Sequence, residues 1–148
     1  MTLLEPPVET SSKSRPLKFV AGVLVILAAV VLYFAFRYYP EQRAAQHFFN
    51  ALVAGDTNTA YQLWKAKPSY RTQDFLTDWG PYGYYGPVKS YKIMKISRPE
   101  GSINSVVVEV AVSPFSPMPA ATDAEKSRRT RVVTVWMNTE DMSFSFPP

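Results

Sequence analysis

DWGPYGYYGPVKSYKI, residues 78–93, is where the hydrophobic period of this chain changes. One Trp and four Tyr are threaded among three Gly and two Pro. Before this stretch apolar residues recur at helical spacing, and after it they alternate as in strands. The change of period makes the region a crossing from helices to a sheet, with Gly80, Gly83 and Gly86 expected to supply unusual backbone angles.

Upstream, EQRAAQHFFNALVAG (41–55) places Ala44, Ala45, Phe48, Phe49, Leu52 and Val53 on one helical face. Arg43, Gln46, His47 and Asn50 fall on the other, so the helix packs on one side. Gly55 fits a left-handed stop, and Asp56 or Thr57 can cap the next helix, NTAYQLWKAK (58–67), which Pro68 ends. Ser69 can cap a third short helix, YRTQDFLTDW (70–79), burying Phe75, Leu76 and Trp79.

Downstream, VKSYKIMKIS (88–97), SINSVVVEVAV (102–112), RTRVVTVWM (129–137) and MSFSF (142–146) are rich in β-branched and aromatic residues and read as strands. Glu100–Gly101 and Thr139–Asp141 form turns, and SPFSPMPAATDAEKS is a longer Pro-bearing connection between strands two and three. Val106, Val108, Val110 and Val112 share one face of the second strand, as do Met142, Phe144 and Phe146 of the fourth. Those faces are expected to meet the helices. The fold class is therefore α+β: two to three helices on a curved, four-stranded, mostly antiparallel sheet, occupying residues 40–148.

At the other end of the chain, FVAGVLVILAAVVLYFAF (19–36) carries no charge and is bounded by Lys18 and Arg37. Eighteen residues of helix cover about 27 Å, near the hydrocarbon thickness of a bilayer, and both flanking cations can snorkel. The membrane anchor is read over 18–39, with Lys18, Phe19, Phe36, Arg37, Tyr38 and Tyr39 at its two interfaces and Tyr33 joining the aromatic belt. A cleaved signal would end in small residues, not Phe36–Arg37–Tyr38–Tyr39–Pro40. A soluble core helix would show a polar stripe.

Residues 1–17, with Pro, Ser, Thr and mixed charge, read as a disordered tail. Lys13, Arg15 and Lys18 before the span outnumber Arg37 and Arg43 after it, which places the N-terminus in the cytoplasm and the domain outside. In a bacterial cell this is a single-pass inner-membrane protein with a periplasmic domain.

Composition narrows the chemistry. The formal charge of +4 is too small and too scattered for a nucleic-acid footprint. The absence of cysteine excludes disulfides, thiolate zinc sites and Cys nucleophiles. His47 lies on a polar helix face without a partner in sequence, and Asp74 and Asp78 form an ordinary i, i+4 pair. Neither makes a metal or acid–base site, so no cofactor is expected. Arg128, Arg129 and Arg131 open the third strand, where they can pair with Glu109 across the sheet or attract an anionic partner such as lipid headgroups.

The stretch AAQHFFNALVAGDTNTAYQLW, followed by YGPVKSYKI, a Val-rich strand and VVTVWM, resembles the nuclear transport factor 2-like (cystatin-like cone) superfamily over about residues 41–146. The resemblance implies a cone of helices against a curved sheet. Catalytic relatives place a Tyr, Asp or His in the cone mouth, and no such pair matches here residue by residue. Some anchored members serve type IV secretion assemblies with a cytoplasmic tail, one span and an outer cone.

For the aromatic crossing three readings stay open and are not exclusive: core or hinge, partner surface, and small-ligand site. Trp79 and Tyr91 are expected to be structural, while at least one of Tyr82, Tyr84 and Tyr85 is expected to be exposed. The leading functional expectation is a non-catalytic partner-binding domain on a membrane anchor. Its partners would be the lipid bilayer and another membrane or periplasmic protein. The alternative is a small-ligand or enzymatic cone with Tyr61, Tyr84, Tyr91 and Trp136 in its pocket.

Overall fold

The structure, a computed structural model, describes residues 14–118 and 121–147, with side chains from Lys18 onward. The expected tail lies outside these residues up to position 13. The chain divides into two units, Met1–Arg37 and Tyr38–Pro148.

In the first unit α1 runs Ser14–Phe36. It starts four residues before the expected boundary at Lys18, because Ser14, Arg15 and Pro16 suit a first helical turn, where proline's missing N–H is no loss. Its apolar window is wholly unburied, and by length and composition the helix can cross a membrane.

The second unit is α+β, ordered α2 (Tyr39–Val53), α3 (Thr57–Trp64), α4 (Thr72–Trp79), β1 (Ser90–Ser97), β2 (Ser105–Ser113), α5 (Asp123–Arg129), β3 (Arg131–Asn138) and β4 (Phe144–Ser145). Pro40 sits in the first turn of α2. Gly55, at φ +77°, turns the chain out of that helix. Asp56 then caps α3, its Oδ1 accepting the Thr59 N–H at 2.9 Å. Ser69 does not cap α4: the helix begins after Arg71, and the Asp74 carboxylate accepts the Arg71 N–H at 2.9 Å. A first-turn carboxylate supplies the acceptor instead of a preceding hydroxyl.

The strands pair in sequence order, β1-β2-β3-β4, all antiparallel. Along β2, Val106, Val108, Val110 and Val112 are buried and the alternate residues only partly so. Opposite them stand Met137, Val135 and Val133 of β3, and β4 adds Phe144 next to Met137. A register shift between Ile93 and Lys95 keeps Ile93 and Ile96 on the same side as the valines.

Phe48 is the centre of the core. Its ring lies 5.0 Å from Phe49, 5.2 Å from Trp64, 5.4 Å from Trp79, 6.3 Å from Phe75 and 5.0 Å from Phe144, between centroids. Helices and sheet thus share one aromatic interior, to which Phe48, Phe49, Leu52, Trp64, Val108, Val110 and Phe144 belong. Leu76 does not: it is 41 % exposed, because Phe75 and Trp79 alone occupy the inward face of α4.

The connection between β2 and β3 is not irregular throughout. It holds α5, capped by Thr122, whose Oγ1 accepts the Glu125 N–H. Arg128 and Arg129 therefore end a helix and do not open the third strand; only Arg131 lies in β3. The proposed pairing with Glu109 is absent for a geometric reason: the register sets Glu109 beside Thr134 and Lys95, and Arg131 beside Val112.

Candidate functional site

The crossing 80–86 is tied by its backbone to the last turns of α4. Tyr84 N–H donates to the Thr77 carbonyl at 2.9 Å, Tyr85 N–H to Asp78 at 2.8 Å, and Gly83 N–H to Gly80 at 2.9 Å. The three glycines are needed for closeness and not for unusual angles, since none has positive φ. A Cβ on Gly86 would stand 1.8 Å from the Gly80 carbonyl oxygen, and one on Gly83 2.8 Å from backbone of Thr77 and Asp78. Backbone folded onto backbone in this way leaves no volume for a side chain.

The tyrosines consequently fan out. Tyr82 is fully exposed, Tyr84 is 64 % exposed, and Tyr85 turns inward beside Trp79 and Phe146, at centroid distances of 5.0 and 5.8 Å. Trp79 is buried, although its Nε1–H has no acceptor. The two roles expected of the stretch, hinge and exposed surface, are divided among different residues.

A cleft of about 180 Å³ opens beside the crossing. It is lined by Gly83, Tyr84, Tyr85 and Gly86 of the crossing, by Val112 and Pro114 at and just after the end of β2, and by Arg128, Arg129 and Arg131. The Arg131 guanidinium lies 4.5 Å from the Tyr84 ring centroid and that of Arg129 5.0 Å from Phe115, both within cation–π range. Burial pushes the Tyr85 phenol above its ordinary pKa, Tyr84 and Asp78 add to this, and Arg131 opposes it.

The four residues expected to line a ligand pocket have separate surroundings. Tyr61 packs on Phe75 and donates its hydroxyl to the Tyr70 carbonyl at 3.2 Å. Tyr91 stacks on Phe49 at 5.3 Å and bonds Asn50. Tyr84 borders the arginine cleft, and Trp136 borders a groove with Lys65, Lys67 and Ser105. Alternation explains part of this, because Trp136 pairs with Val107 and Ser145 on the sheet face opposite the core.

His47 is exposed on α2. Asp78 accepts the Tyr70 hydroxyl at 2.6 Å and Asp74 serves Arg71, so the acidic pair is engaged in holding α4 to its neighbours. Among the described residues no group of three or more His, Asp or Glu side chains converges as a metal site. Glu41, in the first turn of α2, is buried with one carboxylate oxygen unpartnered, a feature that helical periodicity does not single out.

Of the anchor residues, Lys18, Phe19, Phe36, Arg37 and Tyr39 are exposed and Tyr38 is half-buried. Comparison with protein-family models, with curated proteins and with solved structures finds no match to this chain.

Proposed function

We propose that this chain is a single-span protein of the cell inner membrane, with a cytoplasmic N-terminus and a non-catalytic C-terminal domain outside that binds a protein partner. It would serve as an accessory subunit or assembly factor of a membrane complex. The observation that carries the reading is Tyr82, a fully exposed aromatic on a turn locked by backbone hydrogen bonds and close-packed glycines. A large amphipathic side chain exposed on a fixed backbone is the residue type that anchors interfaces, because the backbone has little ordering entropy left to lose on contact. The interior offers a ligand less, since aromatic side chains fill the space between helices and sheet.

The apolar α1 supports attachment, and the excess of cations before it supports the orientation. On this reading the sheet curves round its helices in the nuclear transport factor 2-like manner, with the cone closed by its own core.

Two experiments test the reading. The chain has no cysteine, so single cysteines placed at Ser12 and Ser102 report topology without background. A membrane-impermeant maleimide applied to intact spheroplasts should label position 102 and spare position 12; the reverse pattern refutes the orientation. Copurification of the full chain in mild detergent should yield a stoichiometric partner that Tyr82→Ala loses while the melting curve is unchanged. Retention of every partner by Tyr82→Ala would refute the contact.

A further inference from the structure

We infer that the cleft between the crossing and the end of α5 is a binding site for a phosphate group, held by Arg128, Arg129 and Arg131. The inference goes beyond partner binding and stands on the cleft alone.

Three guanidinium groups fall within four positions of sequence and face one small cavity. Among the described residues none of the three is paired with a carboxylate. All three are exposed, so water screens part of their mutual repulsion, and an anion in the cleft would relieve the rest. The end of a helix accounts for part of the placement, because Arg128 and Arg129 complement the partial negative charge at the C-terminus of α5. It does not account for Arg131, which reaches the same cavity from β3.

The ring contacts leave the arginines' hydrogen-bonding capacity intact. A guanidinium carries five N–H donors. Arg131 lies over Tyr84 and Arg129 over Phe115 at cation–π distance, and a ring contact of this kind uses none of the guanidinium N–H donors, which stay available to a ligand. The rest of the lining includes the crossing, whose backbone is fixed by the bonds to Thr77 and Asp78. Tyr85 also lines the cleft, and a phenol keeps its proton at neutral pH and can donate a hydrogen bond.

A phosphate monoester suits this set better than a carboxylate. It carries close to two negative charges and three acceptor oxygens, enough to engage several arginine forks at once. Such a group can belong to a soluble phosphate ester or to a lipid headgroup such as that of phosphatidic acid.

The test uses the full chain in phosphatidylcholine nanodiscs, titrated calorimetrically with inorganic phosphate into the millimolar range at fixed ionic strength. Saturable binding is expected, weakened about ten-fold or more by Arg128→Gln or Arg131→Gln. Lys92→Gln, which removes an exposed cation elsewhere on the domain, should leave it unchanged. Arg131→Lys keeps the charge but loses the guanidinium fork, so it too should weaken binding. Should Arg131→Gln fail to fold, Arg128→Gln carries the test, because among the described residues the ring contacts belong to Arg129 and Arg131. Repeating the titration in discs containing phosphatidic acid separates the sources. Abolished phosphate binding assigns the cleft to lipid headgroups, and unchanged binding assigns it to soluble phosphates. Absence of saturable binding, or an equal loss with Lys92→Gln, overturns the inference.

Discussion

The Tyr91 hydroxyl donates a 2.8 Å hydrogen bond to Oδ1 of Asn50, joining the first strand to helix α2 across 41 positions of sequence. Its ring stacks on Phe49, the neighbouring residue of the same helix, at 5.3 Å. One side chain thus fixes both the height and the rotation of α2 against the sheet.

Tyr91→Phe keeps the stack and removes the bond, and should cost about 0.5–1.5 kcal/mol. Asn50→Ala should cost a similar amount, and the double variant less than the sum, because both delete one interaction. Thermal unfolding of the full chain in mild detergent, followed by near-ultraviolet circular dichroism, measures all three. Strict additivity would show that the bond contributes nothing in solution.

Phe48→Ala should destabilise the domain by about 3–5 kcal/mol, since the ring it deletes touches five other aromatic side chains and the cavity left cannot easily close. Tyr82→Ala, at a fully exposed position, should stay within about 0.5 kcal/mol. Equal losses at the two positions would contradict the placement of the core.

The glycines should separate by cause. Gly86→Ala forces a Cβ against the Gly80 carbonyl and should cost about 1–3 kcal/mol or more, with displacement of the crossing. Gly55→Ala meets no neighbour but must hold φ +77°, at about 1–2 kcal/mol. Gly22→Ala, inside α1 with open space around it, should be neutral. Unfolding midpoints of the three variants check the order, and a neutral Gly86→Ala would contradict the close approach.

Stability should fall at alkaline pH, and Tyr70 should carry much of the slope. Burial first, and then the bond to Asp78, push its phenol well above the ordinary 10.0. A phenol with a raised folded pKa holds its proton more tightly in the native state, so its stabilisation is complete below 10.0 and is lost as pH rises beyond it. Tyr85 and Tyr91 shift in the same direction, so Tyr70→Phe should flatten the decline without abolishing it. Unfolding midpoints measured on either side of that pH would show this, and an identical slope in the variant would remove Tyr70 from the account.

Sequence alone determined the features that depend on local pattern. An uninterrupted apolar run has no polar stripe to set against water, so α1 is legible as a span candidate without any tertiary contact. The shift from helical to alternating spacing after Gly86 divides helices from sheet, and β-branched alternation in β2 assigns its buried face before its neighbours are known. Gly55 and Asp56 are equally local, because a left-handed stop and an N-cap are properties of a few consecutive residues.

Tertiary structure decided what depends on distant chain segments. Asp123–Arg129 is too short and too polar for periodicity to reveal a helix, yet α5 takes Arg128 and Arg129 out of the strand. The register, which places Glu109 beside Thr134, arises from long-range pairing and not from the charges that seemed to match. The glycines of the crossing are conspicuous in sequence, but their reason, backbone pressed on backbone, exists only once α4 and the crossing fold together. The arginine cleft has the same origin, since Tyr84 and Arg131 are brought into contact only when a turn after one helix meets the first residue of a strand far along the chain.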